Sequence, residues 1–337
     1  MRTAHHLLGG VVAGVVLLGG SAQAQNLFVS AQAPLTRSGG IYELSPVGVQ
    51  SPIVSGLRLP YALAFDSTGD LFAVIGLDGE IIKISPTGGQ STIATGLNHP
   101  TGLAVNSAED LFVAVSQDGT IVKISPGGTQ STFATGLNGP VGLAFDRAGN
   151  LFVSNPGDNS ITEVTTTGQS TFVSGLSTPR GLAFDGAGNL FEADEGSGNI
   201  YEFTNNNGTL SSNPTVFVSG LSANGLAFNN AGDLFAAGAN EILEVSPTGA
   251  VTVFASGPSG DLQLAFQPVP ALRVAATNGA FQVTVKMPSP YYTTIVQASS
   301  DLVNWCDICT NTPPFTFTDS TALSCRFYRA VLDTTSY

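Results

Sequence analysis

Apolar residues come in short runs along this chain, each closed off by Gly, Pro, Asp, Asn or Ser, and the runs recur in a fixed order. The clearest copy reads VGLAFD, NLFVSN, SITEVTT and STFVSGL between Val141 and Leu176. None of these runs has a helical period. Short runs rich in Val, Phe, Ile and Thr predict strands. Aligned on the Leu of Leu-Ala-Phe, the copies fall at Leu63, Leu103, Leu143, Leu182, Leu226 and Leu264, with spacings of 40, 40, 39, 44 and 38. Four strands in about 40 residues, repeated, make the blades of a β-propeller.

The polar positions between the runs agree. DRAGN (Asp146 to Asn150) separates the first two strands of its unit, and DSTGD, NSAED, DGAGN and NNAGD stand at the same place in others. Asp or Asn opens such a turn through its side chain, and Gly in the fourth place suits a left-handed residue. Glu109 takes that place in one copy and should strain its turn. SPTGG, SPGGT and SPTGA mark a later hairpin, with Pro where no ladder donor is needed. NNNGT (Asn205 to Thr209) is an insertion, expected as a solvated loop.

The ends of the array predict its closure. NLFVSAQ at Asn26 is a second strand without a first, and LQLAFQP (262–268) is a first strand without a second. Joining them completes one blade and removes two open sheet edges. The expected fold is therefore all-β: a six-bladed propeller over 25–268. Its blades are 26–57 closed by 262–268, then 60–97, 100–137, 140–176, 179–221 and 223–257. Pro268 and Pro270 mark a boundary. Alternating runs at 280–287, 292–300, 315–320 and 326–332 then predict a small β-sandwich-like module over 269–337.

Composition narrows the partners. Charged residues are 10% of the 337, and net charge is −13. So few Lys and Arg cannot neutralise many phosphates, which argues against nucleic acid and against an anionic membrane surface. Residues 1–24 read as a secretory signal: Arg2, an apolar run from Leu7 to Gly20, then Ala22 and Ala24 in an A-x-A arrangement. The expected mature protein starts at Gln25, is secreted to the periplasm or cell surface, and has no transmembrane anchor. Cys306, Cys309 and Cys325 are the only cysteines. A disulfide from Cys325 to Cys306 or Cys309 is expected, with Cys309–Cys325 preferred; residues three apart on a regular strand face opposite sides, so only one of the pair suits Cys325.

Chemistry should gather where the copies disagree around the channel. The residue ending the second strand is Ala31, Ile75, Val115, Asn155, Asp194 and Gly238 in turn. The residue leading into the first strand is Tyr61, Thr101, Val141, Arg180, Asn224 and Leu262. A one-sided polar patch follows: Asn155, Arg180, Asp194 and Asn224, with Glu192 or Glu195 beside it. Against this, Asn155 and Asp194 also read as turn-forming residues of NPGDN and DEGSGN. The mature chain has one His, His99 in LNHPTG, expected in an inter-blade loop. No G-x-S-x-G elbow, P-loop or D-x-D-x-D-G calcium loop is present.

PVGLAFDRAGNLFVSNPGDNSITEV (Pro140 to Val164) and PRGLAFDGAGNLFEADEGSGNIYEF (Pro179 to Phe203) resemble the NHL repeat. The resemblance covers residues 26–268 and implies a six-bladed propeller of the kind seen in gluconolactonase-type hydrolases, virginiamycin B lyase-like enzymes, peptidyl-amidating lyases and non-catalytic binding proteins. Gluconolactonase-like relatives imply Ca2+ or another divalent cation held by Glu, Asn and Asp groups, for which Asn155 and Asp194 are the weak candidates. Lyase-like relatives imply a catalytic His, for which His99 is the one available residue. SSDLVNW and RFYRAVL resemble a C-terminal module of secreted bacterial repeat proteins, which implies attachment, sorting or interaction. The function expected is a binding or interaction scaffold for an unknown protein, glycan or small molecule. The alternative is a channel-centred enzyme, lactonase-like or lyase-like.

Overall fold

The computed structural model describes residues 25–268, apart from 34–37, 239–240 and 257–261, and six strands between 271 and 332. The expected signal at 1–24 lies outside the described residues. Residues 24–268 form one compact unit, and a second compact unit includes 269–337. Among the described residues there is no helix, so none is long and apolar enough to cross a membrane.

The first unit holds six four-stranded antiparallel sheets, one per blade. The closure takes the expected form: Gln263–Phe266 pairs with Leu27–Ala33, with Leu27 opposite Phe266 and Ser30 opposite Gln263. Backbone and side-chain bonds extend this latch, from Gln267 N–H to the Asn26 carbonyl (3.1 Å) and from Gln25 Nε2 to the Gln267 carbonyl (2.9 Å).

A repeated Phe joins the blades. The second residue of each second strand is Phe28, Phe72, Phe112, Phe152, Phe191 or Phe235, all buried. Phe152 meets Phe172 on its own outer strand and Phe184 on the first strand of the next blade, with ring centroids 5.3 and 5.4 Å apart, edge to face. Phe112, Phe191 and Phe235 repeat this arrangement, and Phe28 meets Phe65 of the following blade. Such pairs add about 0.5–1.5 kcal/mol each beyond burial. Where the repeat reads Leu-Ala-Val, Val105 replaces the Phe and packs with Phe72 in one cluster.

The turns between first and second strands follow their sequence. Asp66 Oδ1 accepts from the N–H groups of Thr68 and Asp70, both at 2.9 Å, and Gly69 is left-handed at φ 86°. Glu109 occupies the same left-handed position at φ 64°, as its place in NSAED predicts. The NNNGT insertion differs from the solvated loop expected of it. Asn205–Asn206 pairs with Thr209–Leu210, and Asn205 binds back to Asn189 and Ala187, so the insertion is a small hairpin buttressing a turn.

In the second unit, Ala271–Thr277, Ala280–Lys286 and Phe315–Asp319 form one antiparallel sheet, and Cys306–Asn311, Thr294–Ser299 and Phe327–Leu332 form another. The register opposes Cys309 to Val296 and Cys306 to Ala298, with a shift between Val296 and Gln297. Cys325, and any disulfide to it, lies outside the described residues.

Candidate functional site

The six first strands line a central cavity of about 390 Å3. Their local shape starts from proline. Pro60, Pro100 and Pro179 open their strands, where no ladder donor is required. In each of these three blades the register then slips between the Pro and the Leu of the repeat, so two residues stand opposite one. The slipped pairs are Tyr61–Ala62, Thr101–Gly102 and Arg180–Gly181. A bulge re-aims side chains, and Tyr61, Thr101 and Arg180 all line the cavity.

Small residues allow these segments to crowd together. A Cβ on Gly102 would lie 1.8 Å from the Val141 carbonyl oxygen, and one on Gly142 would lie 2.0 Å from that of Arg180. Hydroxyls pin carbonyls of the same segments. Ser154 Oγ donates to the Arg180 carbonyl (2.6 Å) and accepts from Gly142 N–H (2.7 Å), and Thr101 Oγ1 donates to the Pro140 carbonyl (2.9 Å). The lead-in backbone is thus fixed by the preceding blade, which preorganises the side chains on it.

Of the four patch residues, the structure brings Arg180 and Asn224 to the cavity wall. Arg180 Nε donates to Glu195 Oε2 at 2.5 Å, so Glu195 tethers the guanidinium. Asn155 and Asp194 are buried and are not part of the wall. Asn155 Nδ2 donates to Thr162 Oγ1 (2.9 Å) inside its own blade, and its Oδ1 is buried without a hydrogen-bond partner among the described residues. Asp194 accepts from Ser177 N–H (2.6 Å) and Ser197 N–H (3.0 Å), the bonds of a turn-forming residue. Leu262, Ile75 and Val115 are buried apolar residues.

Glu192 differs in chemistry from every counterpart. Equivalent positions hold Val29, Ala73, Val113, Val153 and Ala236, all buried. Glu192 is fully buried too, and neither carboxyl oxygen has a hydrogen-bond partner among the described residues. Burial first, and the charge of Asp194 second, push its carboxyl from 4.5 up to about 9; the backbone of Arg180 pulls the other way without meeting hydrogen-bond geometry. The side chain therefore stays protonated at neutral pH, behind the channel wall rather than in it.

His99 lies in the segment between two blades, as the sequence predicts. His99 lines the cavity. Its Nδ1 is 3.0 Å from Ser116 Oγ, which donates to the His99 carbonyl (2.9 Å), and its ring lies tilted 5.8 Å from that of Tyr61. His99 is held at φ 58°, in the left-handed region that Gly139 fills in the next blade. A non-Gly residue there costs about 1–2 kcal/mol. Gln263, Ser116 and Tyr61 also line the cavity. A signal for them existed: Gln263 stands where five blades have Ala or Gly, and Ser116 stands where Arg180's blade has Glu195.

Charge is divided between the two ends of the propeller. At the turn end, Lys83 pairs with Asp70 and Lys123 with Asp110 (2.7 Å). In the next three blades Glu163, Glu202 and Glu244 replace the Lys, and burial, then the nearby Asp146, Asp185 and Asp233, push their carboxyls up. At the cavity, among the described residues, Arg180 and His99 line the wall and no Asp or Glu does. A hard divalent cation takes six or more oxygens, carboxylates prominent among them. This donor set does not fit one, and no group of three His, Cys, Asp or Glu residues comes together among the described residues.

No protein-family model and no curated protein matches this sequence. Solved structures do match its fold. A gluconolactonase from Xanthomonas campestris superposes with a TM-score of 0.56 at 15% identity, covering 82% of this chain and 96% of its own. The virginiamycin B lyase of Staphylococcus aureus, as a catalytically inactive His-to-Ala form with quinupristin, gives 0.53 at 14%, covering 80% and 94%. A chain from a nidogen/laminin complex gives 0.62 at 20%, covering 71% and 98%. At these identities the likeness is one of fold: the chain is a six-bladed propeller similar to gluconolactonase-like and virginiamycin B lyase propellers.

Proposed function

We propose that this chain is an exported binding propeller that takes a small ligand in the mouth of its channel, with its C-terminal module serving attachment or interaction. The observation that carries the reading is the cavity itself. Six blades converge on about 390 Å3 of space, and hydrogen bonds within and between blades hold its polar side chains or the backbone beneath them. That volume is in the range of small-molecule sites, which are concave, mostly apolar and oriented by a few polar groups. Export rests on the pattern of residues 1–24. N-terminal sequencing of the mature protein is expected to begin at Gln25.

The test is a thermal-shift screen of the mature protein against small metabolites, paired with Val141→Trp. Val141 lines the cavity, and the indole would fill it. A ligand bound in the channel raises the melting temperature of the wild type in proportion to RT ln(1 + [L]/Kd) and leaves the variant unmoved. Equal shifts in both proteins would remove the channel from the argument.

A second reading has its own observation. His99 is strained, aimed at the cavity and oriented through Nδ1 by Ser116, which leaves Nε2 for a ligand. An imidazole so held is built for proton transfer, and the Staphylococcus aureus lyase is described as inactive when a His is replaced. In this reading the protein is a lyase-like enzyme with His99 as its base. His99→Ala should then abolish turnover while leaving ligand binding within a few-fold. A lactonase-like metal hydrolase is not favoured, given the donor set.

A further inference from the structure

We propose that the ligand of this channel is a small organic anion with a flat apolar body, of the aromatic carboxylate class, clamped between Arg180 on one wall and the Tyr61–His99 ring pair on the other. The proposal rests on the channel-binding reading above and deepens it.

The first support is an inversion of charge. The chain carries 24 Asp and Glu against 11 Lys and Arg. Its cavity, among the described residues, has Arg180 and His99 on its wall and no carboxylate. The acidic groups that could have lined it are elsewhere. Asp146 and Asp185 cap turns at the opposite end of the blades, Asp233 accepts from Asn229 Nδ2 in the equivalent turn, and Asp194 is spent on backbone N–H groups. The nearest carboxylate, Glu195, is already engaged by Arg180 Nε, so a cationic ligand would have to compete with that ion pair.

The second support is the state of Arg180. Its backbone carbonyl is pinned by Ser154 and its Nε by Glu195, while Nη1 and Nη2 make no hydrogen bond among the described residues. A planar guanidinium tethered through Nε presents its Nη edge as a two-donor fork, the geometry that matches a carboxylate. Glu195 offsets the charge of Arg180 without occupying that edge. The ordering cost of the long side chain is met before a ligand arrives.

The third support is the rest of the wall. In a six-bladed ring, Tyr61 of the second blade stands across the channel from Arg180 of the fifth. Tyr61 lies against Gly76, where a Cβ would be 2.3 Å from its ring. Gly76 therefore lets the ring lie back and leave the mouth open. The six leucines of the repeat line the same cavity. A ligand that bridges the channel meets donors at one end and aromatic or aliphatic surface at the other.

Ligand-observed NMR on the mature protein, with benzoate, benzamide and benzylamine as probes, tests the proposal. Benzoate should bind, with benzamide and benzylamine weaker by about tenfold or more, the measure of one lost charge-assisted fork. Arg180→Gln should bring benzoate down to the level of benzamide, and Arg180→Lys, which keeps charge but not the fork, should fall between. Melting curves confirm that each variant is folded, and Val141→Trp should abolish binding of all three. If benzoate and benzamide bind equally and Val141→Trp releases both, the channel reading stands and the anion proposal is overturned. If benzoate binds undiminished to Val141→Trp, the channel reading itself fails. If none of the probes binds a folded wild-type protein, the anion proposal is overturned and the metabolite screen decides the channel reading alone.

Discussion

The second strands and the lead-in segments of this propeller obey opposite rules. At the second residue of the second strand all six blades carry Phe, and each is buried. At the lead-in position the same blades carry Tyr61, Thr101, Val141, Arg180, Asn224 and Leu262, with no type repeated. The first set faces neighbouring blades, where every joint has the same shape to fill. All of the second set but the buried Leu262 face a channel that is shared by all six blades and has no symmetry to satisfy. Uniformity therefore marks construction and divergence marks the site. Phe152→Ala tests the contrast hardest. It should destabilise the protein by about 3–5 kcal/mol, as truncating a buried aromatic does, and lower the denaturation midpoint at unchanged slope. Any ligand found for the channel should bind the folded variant as before. A loss of affinity comparable to the loss of stability would erase the distinction.

Glu192 breaks the rule from inside the uniform set, standing where Val or Ala stands in the other blades. Its folded carboxyl titrates at about 9 against an ordinary 4.5. The folded chain therefore keeps a proton that the unfolded chain has released throughout that window. Unfolding sheds the proton, so stability is full below pH 4.5, falls as pH rises toward 9, and is level beyond. Glu192→Gln removes the titration. The wild type should lose melting temperature relative to the variant between about pH 5 and 9, and the two curves should run parallel outside it. Parallel curves across the whole range would mean that Glu192 has a partner when folded, and would place it with the site rather than with construction.

The fold was legible because its signals repeat. Period, turn residues and the unmatched strands at Asn26 and Leu262 all name one architecture, and the closure pairing of Leu27 with Phe266 follows. The site was half legible. Comparing equivalent positions found Arg180 and Asn224, since lead-in residues reach the channel in several blades at once. It did not reach His99, which only the lyase resemblance singled out, and whose counterparts Leu59, Gly139 and Thr178 share a left-handed backbone but no chemistry. A sequence does not display the register slip after a Pro that turns such a segment toward the channel. Asn155 and Asp194 drew notice for their divergence, yet their side chains bond to Thr162 and to the amides of Ser177 and Ser197. Divergence marks a difference in environment, and only geometry tells which side of the wall it is on.

Glu109 offers the finest test, a divergent residue in a turn far from the channel. Its left-handed φ of 64° is one that Gly69, Gly149, Gly188 and Gly232 adopt without penalty. Glu109→Gly relieves about 1 kcal/mol of backbone strain. It also frees the unfolded chain by about 0.4–1 kcal/mol and gives up an exposed bond from Ser67 N–H to Glu109 Oε2 at 3.2 Å. These terms nearly cancel, so the variant should fall within about 0.5 kcal/mol of the wild type by urea denaturation, the range of surface changes without a packing role. A loss above about 1 kcal/mol would show that the Ser67–Glu109 bond ties two blades together. Divergence at Glu109 would then belong to construction after all, and the contrast with the lead-in segments would hold only for residues that reach the channel.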